Sequence, residues 1–351
     1  MSNIPVFDGH NDVLLAYHTG ERGDSSFLER SDKGHLDFPR AREGGFAGGF
    51  FAVYSPGPSH KDKPEVVQAV GGHVVPMSPP RGQQEALQDT LAMAAQLFRI
   101  ERTSAGAFKV VRTVGELEHC LQSGVMAAIF HIEGAEAIDP GLEALEVLYQ
   151  AGLRSIGPVW SRPNLFGSGV PFSFPLQPDC GDGLTPWGKD MVRLCGELGI
   201  MVDLSHITAK GFWDVHKLST KPLVATHSNA HALSNTARNL TDDQLAAVAE
   251  TDGMVGLNFA VTFLREDGKR EPNTPLETMV RHIDYLVERV GVDRVGFGSD
   301  FDGATIPEPM GDVTGLPKLV EALRAHGYDQ ESLEKIAHKN WVRVLKKTWT
   351  Q

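Results

Sequence analysis

A (β/α)8 barrel is the fold class that the sequence predicts, on three observations. Eight short apolar runs alternate with helix-like segments, the pattern of parallel strands joined by crossover helices. Five of the eight runs finish in a histidine or carboxylate that their starts lack, as expected where the C-terminal ends of barrel strands carry the chemistry. No GxGxxG follows the first run, so an open dinucleotide-binding sheet lacks its usual signature.

The first strand is expected at 4–9 (IPVFDG), followed by 46–54 (FAGGFFAVY), 125–132 (VMAAIFHI) and 153–160 (LRSIGPVW). The remaining four are 200–205 (IMVDLS), 222–227 (PLVATH), 254–259 (MVGLNF) and 294–299 (RVGFGS). Helical patterns lie between most of them, at 84–102, 141–151, 187–198, 241–250, 275–290 and 315–326. Thr241 stands as N-cap of the helix at 241–250, with acidic residues in its first turn. The stretch 55–83, rich in Pro and Gly, reads as a long loop over the barrel mouth, and 161–186 as a second loop walling it. Residues 328–351 read as a terminal helical segment packed outside, completing a single domain over 1–351.

Composition bounds the function. With 351 residues, 41% of them hydrophobic and 22% charged, the chain can bury the core of one large barrel. A net charge of -12 and the lack of a long basic run argue against nucleic acid or an anionic membrane as the main partner. No apolar stretch is long enough to span a bilayer, and the N-terminus lacks a secretory pattern. The three cysteines, Cys120, Cys180 and Cys195, are scattered without CxxC spacing, which fits free thiols in a reducing compartment. A cytoplasmic location is the expectation.

The strand ends supply the chemistry. His10 and Asp12 follow the first strand, His131 and Glu133 the third, His206 the fifth, His227 the sixth, and Asp300 and Asp302 the eighth. His10 and Asp12 sit two residues apart, a spacing that puts both on one face of an extended chain. An HxD alone is a weak motif, but Glu133 inside an apolar strand needs a partner or a metal. Imidazole and carboxylate suit zinc, and a catalytic zinc keeps a position open for water. The five groups His10, Asp12, Glu133, His206 and His227 are too many for one such ion and suit two metals sharing a carboxylate. Two metals lower the pKa of a bridging water and polarise a carbonyl. Asp300 is then placed to take the proton of the attacking water and deliver it to a leaving amine. His131 is expected in a hydrogen-bonded structural role. His18, His35, His60 and His73 are expected to be solvated loop residues, and Asp8, Asp203 and Asp302 to fix an imidazole or a loop.

The motifs HND (10–12), HIEG (131–134), DLSH (203–206), THS (226–228), SNTARNLTDDQL (234–245) and GSDFDG (298–303) resemble the membrane (renal) dipeptidase family. These are zinc peptidases on an amidohydrolase-like barrel, and the similarity runs in order from residue 6 to about 303. The resemblance implies that His10 and Asp12 bind one zinc, His206 and His227 the other, and that Glu133 bridges them. It implies that Arg238 holds the carboxylate of a dipeptide, that Asp300 handles protons and the substrate amine, and that the protein forms a homodimer. One position departs from the family pattern: strand four ends at Trp160 where the family has a histidine that contacts the tetrahedral intermediate. Trp160 is then a substrate-contacting residue with a single indole donor, and Arg162 or Asn164 is left to supply any charge. The expected activity is hydrolysis of L,L- and also L,D-dipeptides. The alternatives are an amidohydrolase of N-acyl amino acids, lactones or cyclic amides, and a catalytically silent metal-binding barrel.

Overall fold

The computed structural model describes residues 4–57, 66–69 and 71–349. His60 and part of the 55–83 loop lie outside the described residues. Eleven strands are described: β1 (Val6–Asn11), β2 (Phe46–Val53), β3 (Val67–Ala69), β4 (Gly72–Val74), β5 (Phe108–Val110), β6 (Met126–Glu133), β7 (Leu153–Gly157), β8 (Met201–Val202), β9 (Val224–Ala225), β10 (Met254–Asn258) and β11 (Val295–Gly298). Eight of them form one parallel sheet in the order β8-β7-β6-β2-β1-β11-β10-β9, with helices between them. The two ends of that order meet through a parallel bridge between Asp203 and Val224, which closes a (β/α)8 barrel.

All eight expected strands are present, but β8 and β9 shrink to two residues each. Beyond them the chain bends into polar turns, and a side chain stitches the seam instead. Asp203 Oδ1 accepts from the Thr226 backbone N–H at 2.8 Å, and Oδ2 accepts from the Thr226 hydroxyl at 2.6 Å. Several elements carry no sequence signal strong enough to be expected, among them β5, which pairs with the lower half of β6, and the helices Val114–Ser123 and Ala209–Leu218.

The terminal segment is placed differently from the expectation. Instead of lying outside the barrel, the helix Asn340–Thr348 inserts fully buried Trp341 among Phe7, Phe50, Ile129, Met201 and Met254, the inward residues of the strands' lower halves. Trp341 Nε1 donates to Phe297 O at 3.1 Å. Space for the indole exists because Gly9, Gly256 and Gly296 face it; a Cβ on Gly9 would come within 2.5 Å of the ring. The floor of the barrel is thus a packed plug.

At the opposite end, the two long loops zip together over the mouth. Within 55–83 the strands β3 and β4 form a hairpin, and His73 exchanges backbone hydrogen bonds with Phe174 of the 161–186 loop (2.7 and 2.8 Å). Among the described residues no helix is long and apolar enough to cross a membrane.

Candidate metal centre

Five strand ends bring the expected residues to one point at the mouth. His10 is the penultimate residue of β1, which ends at Asn11; Asp12 is already the N-cap of the helix Val13–His18. The pair therefore meets across a strand-to-helix turn and not on one face of an extended strand. Asn11 between them sends its amide to Phe50 O of β2 at 3.1 Å, which fixes the turn. Glu133 is the last residue of β6. His206 and His227 stand in the turns beyond β8 and β9, His206 at a φ of 68°. A left-handed non-glycine residue costs on the order of 1 kcal/mol or more and persists where its surroundings hold it. Here the His206 carbonyl is held by Val170 N at 2.8 Å.

Glu133 Oε1 is the hub. It lies 2.9 Å from His206 Nε2, 3.3 Å from His227 Nε2 and 3.6 Å from His10 Nε2. His10 Nε2 and Asp12 Oδ2 are 3.3 Å apart, and the two Nε2 atoms of His206 and His227 are 3.1 Å apart. Two ligands about 2 Å from a tetrahedral zinc lie roughly 3.3 Å from each other, so both pairs have the spacing of shared coordination. Both nitrogens of buried His10 and Oδ1 of Asp12 find no hydrogen-bond partner among the described residues. Buried polar atoms without partners are rare, and a cation at the hub would satisfy His10 Nε2 and the Asp12 carboxylate. Each outer imidazole is oriented by a hydroxyl on its far nitrogen, Ser161 on His206 Nδ1 (2.7 Å) and Thr226 on His227 Nδ1 (2.8 Å), so both present Nε2 to the hub.

The electrostatics agree with a cation site. Burial, with the positive charges of Arg238 and His10 beside it, keeps His206 and His227 well below the usual histidine range, hence neutral and ligand-ready. Burial pulls His10 down too, but the Glu133 and Asp12 carboxylates outweigh it and raise the ring to about 10. A proton held that firmly marks the place where the carboxylates demand positive charge. Burial, then Asp12, lifts the Asp300 carboxyl to about 6, close to neutrality, where a proton carrier works best.

The remaining candidates fall around this hub. Asp300 shares a cluster with His10 and Asp12, and Asn258 donates to its Oδ2 at 2.9 Å. Arg238 is 3% exposed; one nitrogen donates to His227 O at 3.1 Å, while Nε and Nη1 have no hydrogen-bond partner among the described residues. Its guanidinium lies 5.2 Å from the Phe263 ring centroid. Trp160 is half-buried in an aromatic wall, 4.9 Å from Tyr54, 5.4 Å from Phe172 and 5.9 Å from His206 between ring centroids. Of its two polar neighbours, Asn164 is used inside its own loop, bonding Pro158 O, Phe166 N and Gly167 N. Arg162 is buried between Tyr54 and Trp160, bound to Glu136 (2.7 Å) and Ser55 O (2.5 Å), and among the described residues its Nη1 has no hydrogen-bond partner.

The histidines expected to be solvated are partnered instead: His18 with Asp89 (3.1 Å), His73 with Phe172 O (3.1 Å) and His35 with the backbone N–H of Asp302 (3.0 Å). His131 takes its structural role through Ser155 Oγ (2.9 Å), and Asp8 through Ser299. Reasoning from the sequence missed Ser161, Thr226 and Asn258. Asn258 had a signal, as the one polar residue in the run MVGLNF; the two hydroxyls had none beyond adjacency to the motifs. Gly303 was passed over as well, although a Cβ there would run into Asp12 Oδ2 and come 2.5 Å from Asp300 Oδ1.

Known proteins share this architecture. The family model described as membrane dipeptidase (peptidase family M19) matches residues 1–350. The crystal structure of the metallopeptidase called dipeptidase AC has 51% sequence identity and a TM-score of 0.93, covering 99% of both chains. A metallopeptidase from Rhodobacter sphaeroides, crystallised with a phosphinate mimic of the dipeptide L-Ala-D-Ala, has 50% identity and a TM-score of 0.93, covering 99% of this chain and 100% of that one. A protein from Klebsiella pneumoniae encoded in the pqqA 5' region is 49% identical over 267 residues, 76% of this chain and 97% of its own length. With a matching barrel, a matching family model and relatives at half identity, the chain belongs to the membrane dipeptidase family, peptidase family M19, and is a metallo-dipeptidase.

Proposed function

We propose that the protein is a binuclear zinc dipeptidase acting on dipeptides with a free C-terminal carboxylate. The observation that carries the reading is the convergence of three imidazole nitrogens, from three different strand ends, within 3.6 Å of Glu133 Oε1. His10 and Asp12 would hold one ion, His206 and His227 the other, with Glu133 common to both. Two such ions polarise the scissile carbonyl and make water nucleophilic near neutral pH.

The chain's own residues do the rest. Arg238 offers its two unpartnered nitrogens to the dipeptide carboxylate, a charge-assisted contact in a dry pocket. Asn258 holds Oδ2 of Asp300, so the other carboxyl oxygen takes a proton from the water attacking the peptide carbon. Asp300 then gives that proton to the amide nitrogen as the C–N bond breaks, releasing two amino acids. The Trp160 wall excludes solvent beside His206 and contacts substrate through its ring and indole N–H. The relative bound to an L-Ala-D-Ala mimic supports acceptance of a D-residue at the carboxyl end here as well.

The test combines metal analysis with hydrolysis of L,L- and L,D-dipeptides by the purified protein. About two zinc ions per chain are expected, with activity lost in Glu133→Gln and Asp300→Asn. Full activity in a metal-free preparation would overturn the reading.

A further inference from the structure

The Asp300 turn is clamped by a segment that the reaction has not otherwise used. Asp300 and Asp302 both take left-handed backbone conformations, with φ of 60° and 69°, on either side of buried Phe301. Two such residues in one turn strain it, and a strained turn keeps its shape only when tied down. On one side β1 ties it: Asp300 N donates to His10 O (3.0 Å), and Asp12 N donates to Phe301 O (2.8 Å). On the other side lies the irregular stretch after the helix Val13–His18. Arg22 Nη2 donates to Asp302 Oδ2 at 2.5 Å, His35 N donates to Asp302 Oδ1 at 2.6 Å, and Asp302 N donates to His35 Nδ1 at 3.0 Å.

We propose that Arg22, Asp302 and His35 form a clamp that sets the aim of the Asp300 carboxyl, and are thereby positioning residues for peptide hydrolysis. The inference rests on the reading of Asp300 as the proton carrier. Arg22 and Asp302 have side chains only 1% exposed, and the same guanidinium grips Lys33 O and Leu36 O, so the clamp is rigid on the loop side. Both oxygens of Asp302 are spent on Arg22 and His35. A buried ion pair contributes little net stability compared with apolar replacements, so its effect here is geometric. Gly34, at a φ of 60°, lets the loop close on the pair; a Cβ there would run into Asp302 Oδ1 and Arg22 Cζ. Without the clamp the turn relaxes and swings Asp300 from its place beside Asp12. A displacement of 1 Å in a reacting group costs on the order of 100-fold in rate.

The experiment uses the zinc-loaded full chain and reads kcat per bound metal, KM and metal content together. Asp302→Asn and Arg22→Gln are expected to lower kcat per metal by about 100-fold with KM within about twofold and metal content unchanged. Arg22→Lys, which keeps the charge, is expected to recover part of that loss. Wild-type kcat per metal in these variants overturns the clamp, and so does a parallel loss of metal, KM and kcat, the mark of a purely structural pair. Should Asp302→Asn not fold, Gly34→Ala and Arg22→Lys carry the same readouts. Asp300→Asn is measured alongside. If it is inactive while Asp302→Asn is fully active, the clamp alone falls; if Asp300→Asn keeps full activity, the proton-carrier reading falls and the clamp with it.

Discussion

Replacing Arg238 by methionine is expected to cripple the enzyme while leaving the fold about as stable. Burial lowers the Arg238 guanidinium to about 10, against the pull of Asp300 and Glu133. It stays charged at pH 7, and the difference from its ordinary 12.5 corresponds to roughly 3 kcal/mol of destabilisation borne by the folded state. That cost disappears in the variant, as do the unpartnered Nε and Nη1 donors. Lost at the same time are one hydrogen bond to His227 O and the contact with the Phe263 face, each about 1 kcal/mol. These terms are of similar size and opposite sign, so the denaturant midpoint should move little, with an unchanged slope. Function moves the other way. Removing one partner of a buried charge pair costs about 2–5 kcal/mol, so kcat/KM for a dipeptide should fall by some 30- to 5,000-fold. The decisive assay compares a dipeptide with the same dipeptide carrying a C-terminal amide. Wild type should discriminate strongly and Arg238→Met should not. A variant that keeps the discrimination, or that is clearly less stable than wild type, refutes the reasoning.

Three further outcomes follow from the geometry. His282 is fully buried, with Nε2 on Leu264 O and Nδ1 receiving Ala230 N–H, and burial lowers it to about 4. Between that value and the ordinary 6.5 the unfolded chain binds a proton that the folded chain refuses. Its stabilisation is thus complete above pH 6.5 and is lost, to the extent of about 3 kcal/mol, as the pH falls to 4. In urea titrations of chelated protein, His282→Gln should lose correspondingly less between pH 7 and 4. Trp341→Ala empties the barrel floor and should cost about 3–5 kcal/mol in unfolding free energy. Its kcat at 25 °C should nevertheless stay near wild type, because the plug lies at the end of the strands away from the hub. Gly303→Ala should push Asp12 and Asp300 apart and lower both metal content and kcat, measured on one sample; retention of both would show that the turn yields freely.

The sequence exposed what depends on local pattern. Five strand ends were readable because their apolar runs stop abruptly at His or carboxylate, and the candidate metal cluster followed from that repetition. What stayed hidden depends on distance or on shortness. β5, with three residues, is too short to show a period, and β8 and β9, with two residues each, are joined at the seam by the Asp203 side chain. The i, i+2 spacing suggested one extended face for His10 and Asp12, and it cannot reveal that the strand runs on to Asn11 and that Asp12 is already the N-cap of a helix. Arg22 and Asp302 are 280 positions apart, and no local pattern joins them. Trp341 sits on an amphipathic helix that reads equally well as exterior; only the glycines on three strands, seen together in space, show where the indole goes.

That plug also orders the birth of the molecule. Gly9 and Phe7, which face the indole, leave the ribosome long before Trp341 is made. At about 5–20 residues per second the wait is roughly 15–70 s. Until then the strands already made lack their filling, and their apolar lining stays open to water or to a chaperone. Pairing of β1 with β11, which sets Asp8 beside Phe297, and the arrival of the last helix are therefore the late events. A mutation that delays either lengthens the period in which the nascent chain can aggregate, even if the finished enzyme is unharmed.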